Sequence, residues 1–296
     1  MSQKLTGIVC WGDSLTAGAG GNGVTYPLAL ESLIREKIKN AGIPVVNMGV
    51  GGESSITIAG RNGAIPYILS ENLCIPADST PVEINFTSIG GQHVAPLRQG
   101  HAGVNPVIIG GIEGTLSVVQ ESYVSKEYSY RFSRSVSGES ITIPSGTQIT
   151  TAANFQYLDY LPVIYIGQNR GYADFDDLIR QQRAIIDHQT ANRDQFIIVG
   201  LHTGTYEDRS ALEQAMQNEY GDQYINLRAY MSTRAMADAG LTPTPEDIKL
   251  MESGATPYSL MVADRCHFNS TAYQLIAKLI YHTMDKLGYF DGVRNA

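Results

Sequence analysis

Ile8-Val9-Cys10-Trp11-Gly12-Asp13-Ser14-Leu15-Thr16-Ala17-Gly18 is the stretch from which this chain is read. Its short apolar run predicts a buried strand. The run stops at Gly-Asp-Ser, and a loop with Gly18, Gly20, Gly21 and Gly23 follows. A serine is thereby set at the carboxyl end of a strand, the edge at which open α/β sheets hold their ligands. Asp and Ser are also common turn formers, so the motif alone marks a turn as readily as a site. A serine hydroxyl is a weak nucleophile and needs a base and an oxyanion site, which the rest of the chain must supply.

Working outward, Thr25-Tyr26-Pro27 opens a helix, with Thr25 as its cap and Pro27 in its first turn. Leu30, Leu33, Ile34 and Ile38 continue it at helical spacing. Pro44-Val45-Val46-Asn47-Met48 reads as a second buried strand, leading into the Gly-rich Gly49-Val50-Gly51-Gly52-Glu53-Ser54-Ser55. Strand, helix and strand at this spacing form a βαβ unit and favour a parallel sheet. Near Ile75-Pro76 the helical period disappears. Val82, Ile84 and Phe86 alternate with Glu83, Asn85 and Thr87, the period of a half-buried strand, and β-rich stretches recur to about residue 160. The α/β pattern then returns. Val163–Ile166 is a strand ending in Gly167-Gln168-Asn169, and a helix runs from Asp174 to Asn192. Phe196–Leu201 is a strand ending at His202, and Ala211 to Tyr220 is a helix. Asp264-Arg265-Cys266-His267-Phe268-Asn269 is a loop, after which Ser270 caps a last helix. The expected division is an α/β domain over residues 1–74 and 161–296, interrupted by a β-rich insertion subdomain at 75–160.

Composition bounds the partners. Hydrophobic residues make up 43% and charged residues 17% of the 296 residues, enough for a sizeable core. The net charge is −8 with no Lys/Arg run, which argues against nucleic-acid and anionic-membrane surfaces. Met1-Ser2-Gln3-Lys4-Leu5-Thr6 leads into the first strand without an apolar signal segment, and no run is long enough to span a bilayer. Cellular location stays open. Of three cysteines one must remain unpaired, and Cys10 and Cys74 read as buried structural thiols. His93, His101, His188, His202 and His282 show no His-x-x-x-His or carboxylate pairing of ligand type, so no metal is expected. A Cys266 nucleophile is disfavoured, because side chains of adjacent residues such as Cys266 and His267 diverge in an extended loop.

Four strand ends or loops carry polar groups: Ser14, Gly51-Gly52, Asn169, and Asp264 with His267. In a parallel sheet such ends share one edge. In Asp264-x-x-His267 the two side chains fall on one side of a turn, so a carboxylate can accept from imidazole Nδ1–H. Nε2 is then left to take the serine proton, and the resulting imidazolium is stabilised. His202 ends a strand at that same edge and is a candidate for lining the substrate site.

Together these motifs resemble those of the SGNH (GDSL-type) hydrolases. Gly12-Asp13-Ser14-Leu15 resembles the first family block, with Ser14 as nucleophile. Val46-Asn47-Met48-Gly49-Val50-Gly51-Gly52-Glu53 resembles the second, Gly167-Gln168-Asn169 the third, and Asp264-Arg265-Cys266-His267 the last. The resemblance implies a three-layer α/β/α parallel-sheet hydrolase (flavodoxin-like), here with a β-rich insertion. It also implies an oxyanion hole made by the N–H groups of Ser14 and Gly52 and the Asn169 amide, with no cofactor. It covers residues 5–74 and 162–288 and departs in two places. Arg170 stands where the third block usually has Asp, and the gap between the second and third blocks is unusually long.

The function expected on this basis is a serine esterase that releases short acyl groups, acetyl above all, from a small ester or an acylated glycan through an acyl-enzyme. The Asn- and Tyr-bearing insertion suits a polar ligand, and Tyr123, Tyr128, Tyr130 and Tyr157 are candidates for stacking on sugars. A lipase or thioesterase of the same family is the alternative within the class. A glycan-binding or structural module with a decayed site, assembling as a homo-oligomer through the insertion, is the alternative outside it.

Overall fold

Every residue of the Ile8–Gly12 strand is buried, and the strand lies between two parallel neighbours. The computed structural model describes residues 5–38, 42–189 and 194–294. They form two compact units: one of residues up to 49, 159–168 and 189 onward, the other of residues 50–158 and 169–188.

In the first unit Ile8–Gly12 pairs with Val45–Gly49 on one side and Leu161–Tyr165 on the other. Ile197–Val199 and Tyr224–Ile225 continue the sheet to five parallel strands. The register sets Gly12 level with both Gly49 and Tyr165, so three strand ends meet at one edge. Because the chain leaves the first strand for opposite sides in turn, the strand order reverses beside it, the position at which such sheets open a crevice. Ile8, Cys10, Leu161, Val163, Tyr165, Ile197 and Val199 belong to one core, and their spacing of two places them on one face. Helix Tyr26–Lys37 adds Leu30 and Ile34 to that core, and helix Ser270–Lys286 adds Leu275, Ile276, Ile280 and Met284. Each such aliphatic side chain contributes about 1.5–3 kcal/mol on full burial. Thr25 caps the first helix by accepting from Leu28 N–H at 3.2 Å. The last helix is capped by Asn269, not by Ser270: the Asn269 side chain accepts from Ala272 N–H at 3.1 Å.

The second unit has its own seven-stranded antiparallel sheet and a two-stranded pair, Leu73–Ile75 with Ile141–Ile143. The strands at the two edges of the larger sheet, Val82–Ile84 and Phe86–Ser88, are separated in the chain by Asn85 alone. The sheet therefore curls round until it is nearly a barrel. Tyr67, Phe86, Leu116, Phe132 and Ile149 are buried in its core. Helix Ser55–Asn62, buried at all eight positions, packs against helix Phe175–His188 within this unit. Tyr67 Oη donates to Thr57 O at 2.6 Å, which pins that helix to the sheet.

The fold is thus mixed, and it corrects the expectation of a three-layer α/β/α hydrolase with a β insertion at 75–160. The antiparallel sheet has more strands than the parallel one and a separate core. The chain passes between the two units at 49/50, 158/159, 168/169 and 188/189. A helical period tells that a segment is amphipathic but not which sheet it faces, and helices Ser55–Asn62 and Phe175–His188 serve the antiparallel unit. The second of these ends at His188. Residues 190–192, which the longer helix was expected to include, lie outside the described residues, as do residues 1–4 ahead of the first strand. Cys10 is buried, whereas Cys74 is exposed, its Sγ 3.5 Å from Thr142 Oγ1. Among the described residues no helix is long and apolar enough to cross a membrane.

Candidate active site

Ser14 begins a one-turn helix, Ser14–Ala17, straight after the first strand. The buried Asp13 caps it by accepting from Leu15 N–H at 3.0 Å. Asn47 Nδ2 donates to Thr16 O at 2.8 Å, and Thr16 Oγ1 meets Tyr26 Oη at 3.1 Å. The turn is therefore held from the neighbouring strand and from a helix, while Ser14 itself stays half-buried.

The partner loop is built with equal economy. Val262 N–H donates to His267 O and Arg265 N–H to Val262 O, each at 2.9 Å. Asp264 Oδ1 accepts from the backbone N–H groups of Cys266 and His267, both at 2.9 Å. Asp264 Oδ2 lies 2.7 Å from His267 Nδ1. The His267 side-chain bond, with these backbone bonds, holds the Asp264 carboxyl at about 2, so it stays ionised at any working pH. An ionised carboxylate can only accept, which assigns the proton of the neutral imidazole to Nδ1 and leaves Nε2 as acceptor. His267 Nε2 is 2.9 Å from Ser14 Oγ, so the serine hydroxyl donates to it. Ser14, His267 and Asp264, 253 residues apart at the extremes of the first contact, thus form one chain of hydrogen bonds within the first unit. Gly20 is required beside it. Its φ is +84°, and a Cβ there would come within 2.7 Å of Phe268 O and 3.1 Å of His267 Cβ.

Gly52 and Asn169 lie in the second unit. Gly52 takes φ +72°, a left-handed turn ahead of helix Ser55–Asn62. Asn169 Nδ2 donates to Glu53 O at 3.2 Å, and Ser55 donates to Arg170 O through N at 2.9 Å and Oγ at 3.0 Å. These bonds tie the two Gly/Asn-bearing stretches to each other. Arg170 takes part through its backbone carbonyl. Glu53 itself is buried in a pair with Arg61, whose Nε and Nη2 reach Glu53 Oε2 at 2.9 and 2.8 Å.

His202, expected to line the substrate site, is fully buried and presents no surface to a ligand. Its Nδ1 is 3.0 Å from Tyr165 Oη and its Nε2 is 3.1 Å from Cys266 O. Tyr165 carries a signal of this contact in the sequence. A phenol in an otherwise aliphatic buried strand must find a partner for its hydroxyl. Of the tyrosines read as sugar platforms, Tyr130 is buried against Phe86 and donates to Pro96 O at 2.7 Å, so it is a core residue of the second unit. Tyr128 is half-buried under Arg98, whose guanidinium lies 3.9 Å from the ring centroid. Tyr123 is 59% exposed. Among the described residues no three His, Cys, Asp or Glu side chains converge as a metal site. Compared with known proteins, the chain matches no family model, no curated protein and no solved structure.

Proposed function

We propose that the chain is a serine esterase of SGNH type that cleaves short acyl esters, acetyl esters of a carbohydrate in the first instance, through an acyl-enzyme. The observation that carries the reading is the Ser14–His267–Asp264 relay, with both links inside hydrogen-bond range. Ser14 Oγ attacks the ester carbonyl while His267 Nε2 takes its proton. The tetrahedral intermediate collapses, the imidazolium gives that proton to the departing alcohol, and the acyl group stays on Ser14. Water, deprotonated by the same nitrogen, then releases the acid and restores the serine. Asp264 keeps the imidazole in the required tautomer and stabilises the imidazolium. The family resemblance names the Ser14 N–H as an oxyanion donor, and its other two donors, Gly52 and Asn169, lie in the second unit.

A fluorophosphonate probe tests the class of function. Stoichiometric labelling at Ser14 is expected, and a native protein that resists it is a binding module. A nitrophenyl ester series then separates the two hydrolase readings: rates should fall beyond short acyl chains, and a rise with chain length would make it a lipase.

Two further results are expected. Asn169→Ala should lower kcat with little change in KM, because an oxyanion donor acts on charge that appears only in the transition state. The loss of one donor costs roughly 2.7–4 kcal/mol in a comparable hydrolase. A raised KM with unchanged kcat would make Asn169 a substrate-binding group. His267→Gln should also remove most of the rate while leaving the fold intact, and a folded variant that keeps the wild-type rate would remove His267 as the base.

A further inference from the structure

We infer that His202 is a positioning residue for the Asp264–His267 loop: its Nε2–H holds the Cys266 carbonyl and so fixes the aim of the His267 imidazole at Ser14. The kinetic consequence rests on the esterase reading, while the structural part stands without it. His202 follows the Ile197–Val199 strand and has no exposed surface. A carbonyl offers only lone pairs, so the 3.1 Å contact to Cys266 O requires the proton on Nε2. A neutral imidazole has one N–H, so Nδ1 accepts, and Tyr165 Oη donates to it at 3.0 Å. Burial, against the opposing pull of the Cys266 carbonyl, pushes the His202 pKa down to about 3, which keeps the ring in this neutral form. Phe268 packs on the ring at a centroid distance of 4.3 Å, and Thr256 Oγ1 holds His202 O at 2.9 Å.

The consequence follows from which peptide is held. The Cys266 carbonyl and the His267 N–H belong to the same planar unit. The carbonyl is fixed by His202, and the N–H is fixed by Asp264 Oδ1 at 2.9 Å. Rotation of that plane is blocked from both sides, and the plane is bonded directly to His267 Cα. The carboxylate alone holds one side of it. Without His202 the carbonyl end of the plane loses this restraint, and a tilt about the Asp264 bonds moves Nε2 relative to Ser14 Oγ. A displacement of about 1 Å in a reacting group can cost on the order of 10²-fold in rate.

The test uses the full chain, with nitrophenyl acetate as substrate and nitrogen-resolved NMR of the imidazoles. In the wild type at neutral pH, His202 should be the Nε2-protonated neutral tautomer. A cationic ring, or a proton on Nδ1, overturns the inference without any variant being made. His202→Phe keeps an aromatic ring against Phe268 but removes the donor. It should lower kcat by about 10- to 100-fold with KM within about two-fold, and should broaden the downfield Nδ1–H signal of His267. His202→Gln restores an N–H towards the Cys266 carbonyl and should recover most of kcat. A His202→Phe protein that folds and keeps its kcat, or a loss that Gln does not rescue, overturns the inference. If the wild type is neither labelled by a fluorophosphonate nor active on the ester, it is the esterase reading that fails. The tautomer and the His267 signal then still decide whether His202 holds the loop.

Discussion

Ser14→Ala should leave a folded protein with no measurable ester turnover above a small residue. The fold is expected to survive because the hydroxyl carries none of the local structure. Asp13 caps the turn through Leu15 N–H, Asn47 holds it through Thr16 O, and the Ser14 side chain meets His267. Alanine is the best helix former, so the Ser14–Ala17 turn loses nothing in propensity. Thermal or urea unfolding should move by less than about 1 kcal/mol. The rate has no such protection. Without Oγ there is no covalent intermediate, and loss of the nucleophile from a triad costs on the order of 10⁶-fold in kcat. What is left, about 10³–10⁴-fold over water, comes from oxyanion stabilisation and binding. Fluorophosphonate labelling should vanish in parallel. A variant that still turns over nitrophenyl acetate at the wild-type rate would move the chemistry to another residue and overturn the proposed function.

The parts of this arrangement that were legible in the sequence are those fixed by local chemistry. The apolar run at Ile8–Trp11 and its arrest at Gly-Asp-Ser define a strand and a turn within a few residues. Asp264-x-x-His267 places a carboxylate beside an imidazole by spacing alone, and Thr25 with Pro27 marks a helix start. What was not legible depends on pairing across long separations. The helix at Phe175–His188 has the period of any amphipathic helix, while Ser55–Asn62, buried at all eight positions, has no exposed face for a period to show. Nothing in either segment says that it packs on the antiparallel unit, and this is why the β-rich region read as a smaller insertion. The edge strands Val82–Ile84 and Phe86–Ser88 look like one strand in the sequence, because Asn85 continues the alternation. In the fold they stand at opposite edges of a curled sheet. His202 shows the same limit at a single residue. Its place at a strand end is local, but its burial comes from Tyr165, Thr256 and Cys266, which are distant in the chain.

Arg61→Leu should be the most destabilising single change in the second unit, by about 3–5 kcal/mol. Both members of the pair are removed from water, with Arg61 at 0% and Glu53 at 1% side-chain exposure. Arg61 Nη1 also donates to Ala102 O at 2.9 Å. Burial pushes the Glu53 carboxyl up from its ordinary value, and the Arg61 guanidinium opposes that push. With leucine in place of the cation the opposition is gone, and the carboxyl must be protonated to stay buried. The sign of the pH dependence follows. A folded-state pKa raised above the unfolded one gives stability that is present at low pH and lost as pH rises through the folded value. Relative to the wild type, Arg61→Leu should therefore be less impaired at about pH 5 than at about pH 8, as read from urea midpoints at the two pH values. The double variant Glu53→Met with Arg61→Leu removes both charges and should recover much of the loss, since well-packed apolar residues often replace a buried ion pair at little cost. Two outcomes would make the pair a passenger: Arg61→Leu within about 1 kcal/mol of the wild type, or a double variant no more stable than the single one.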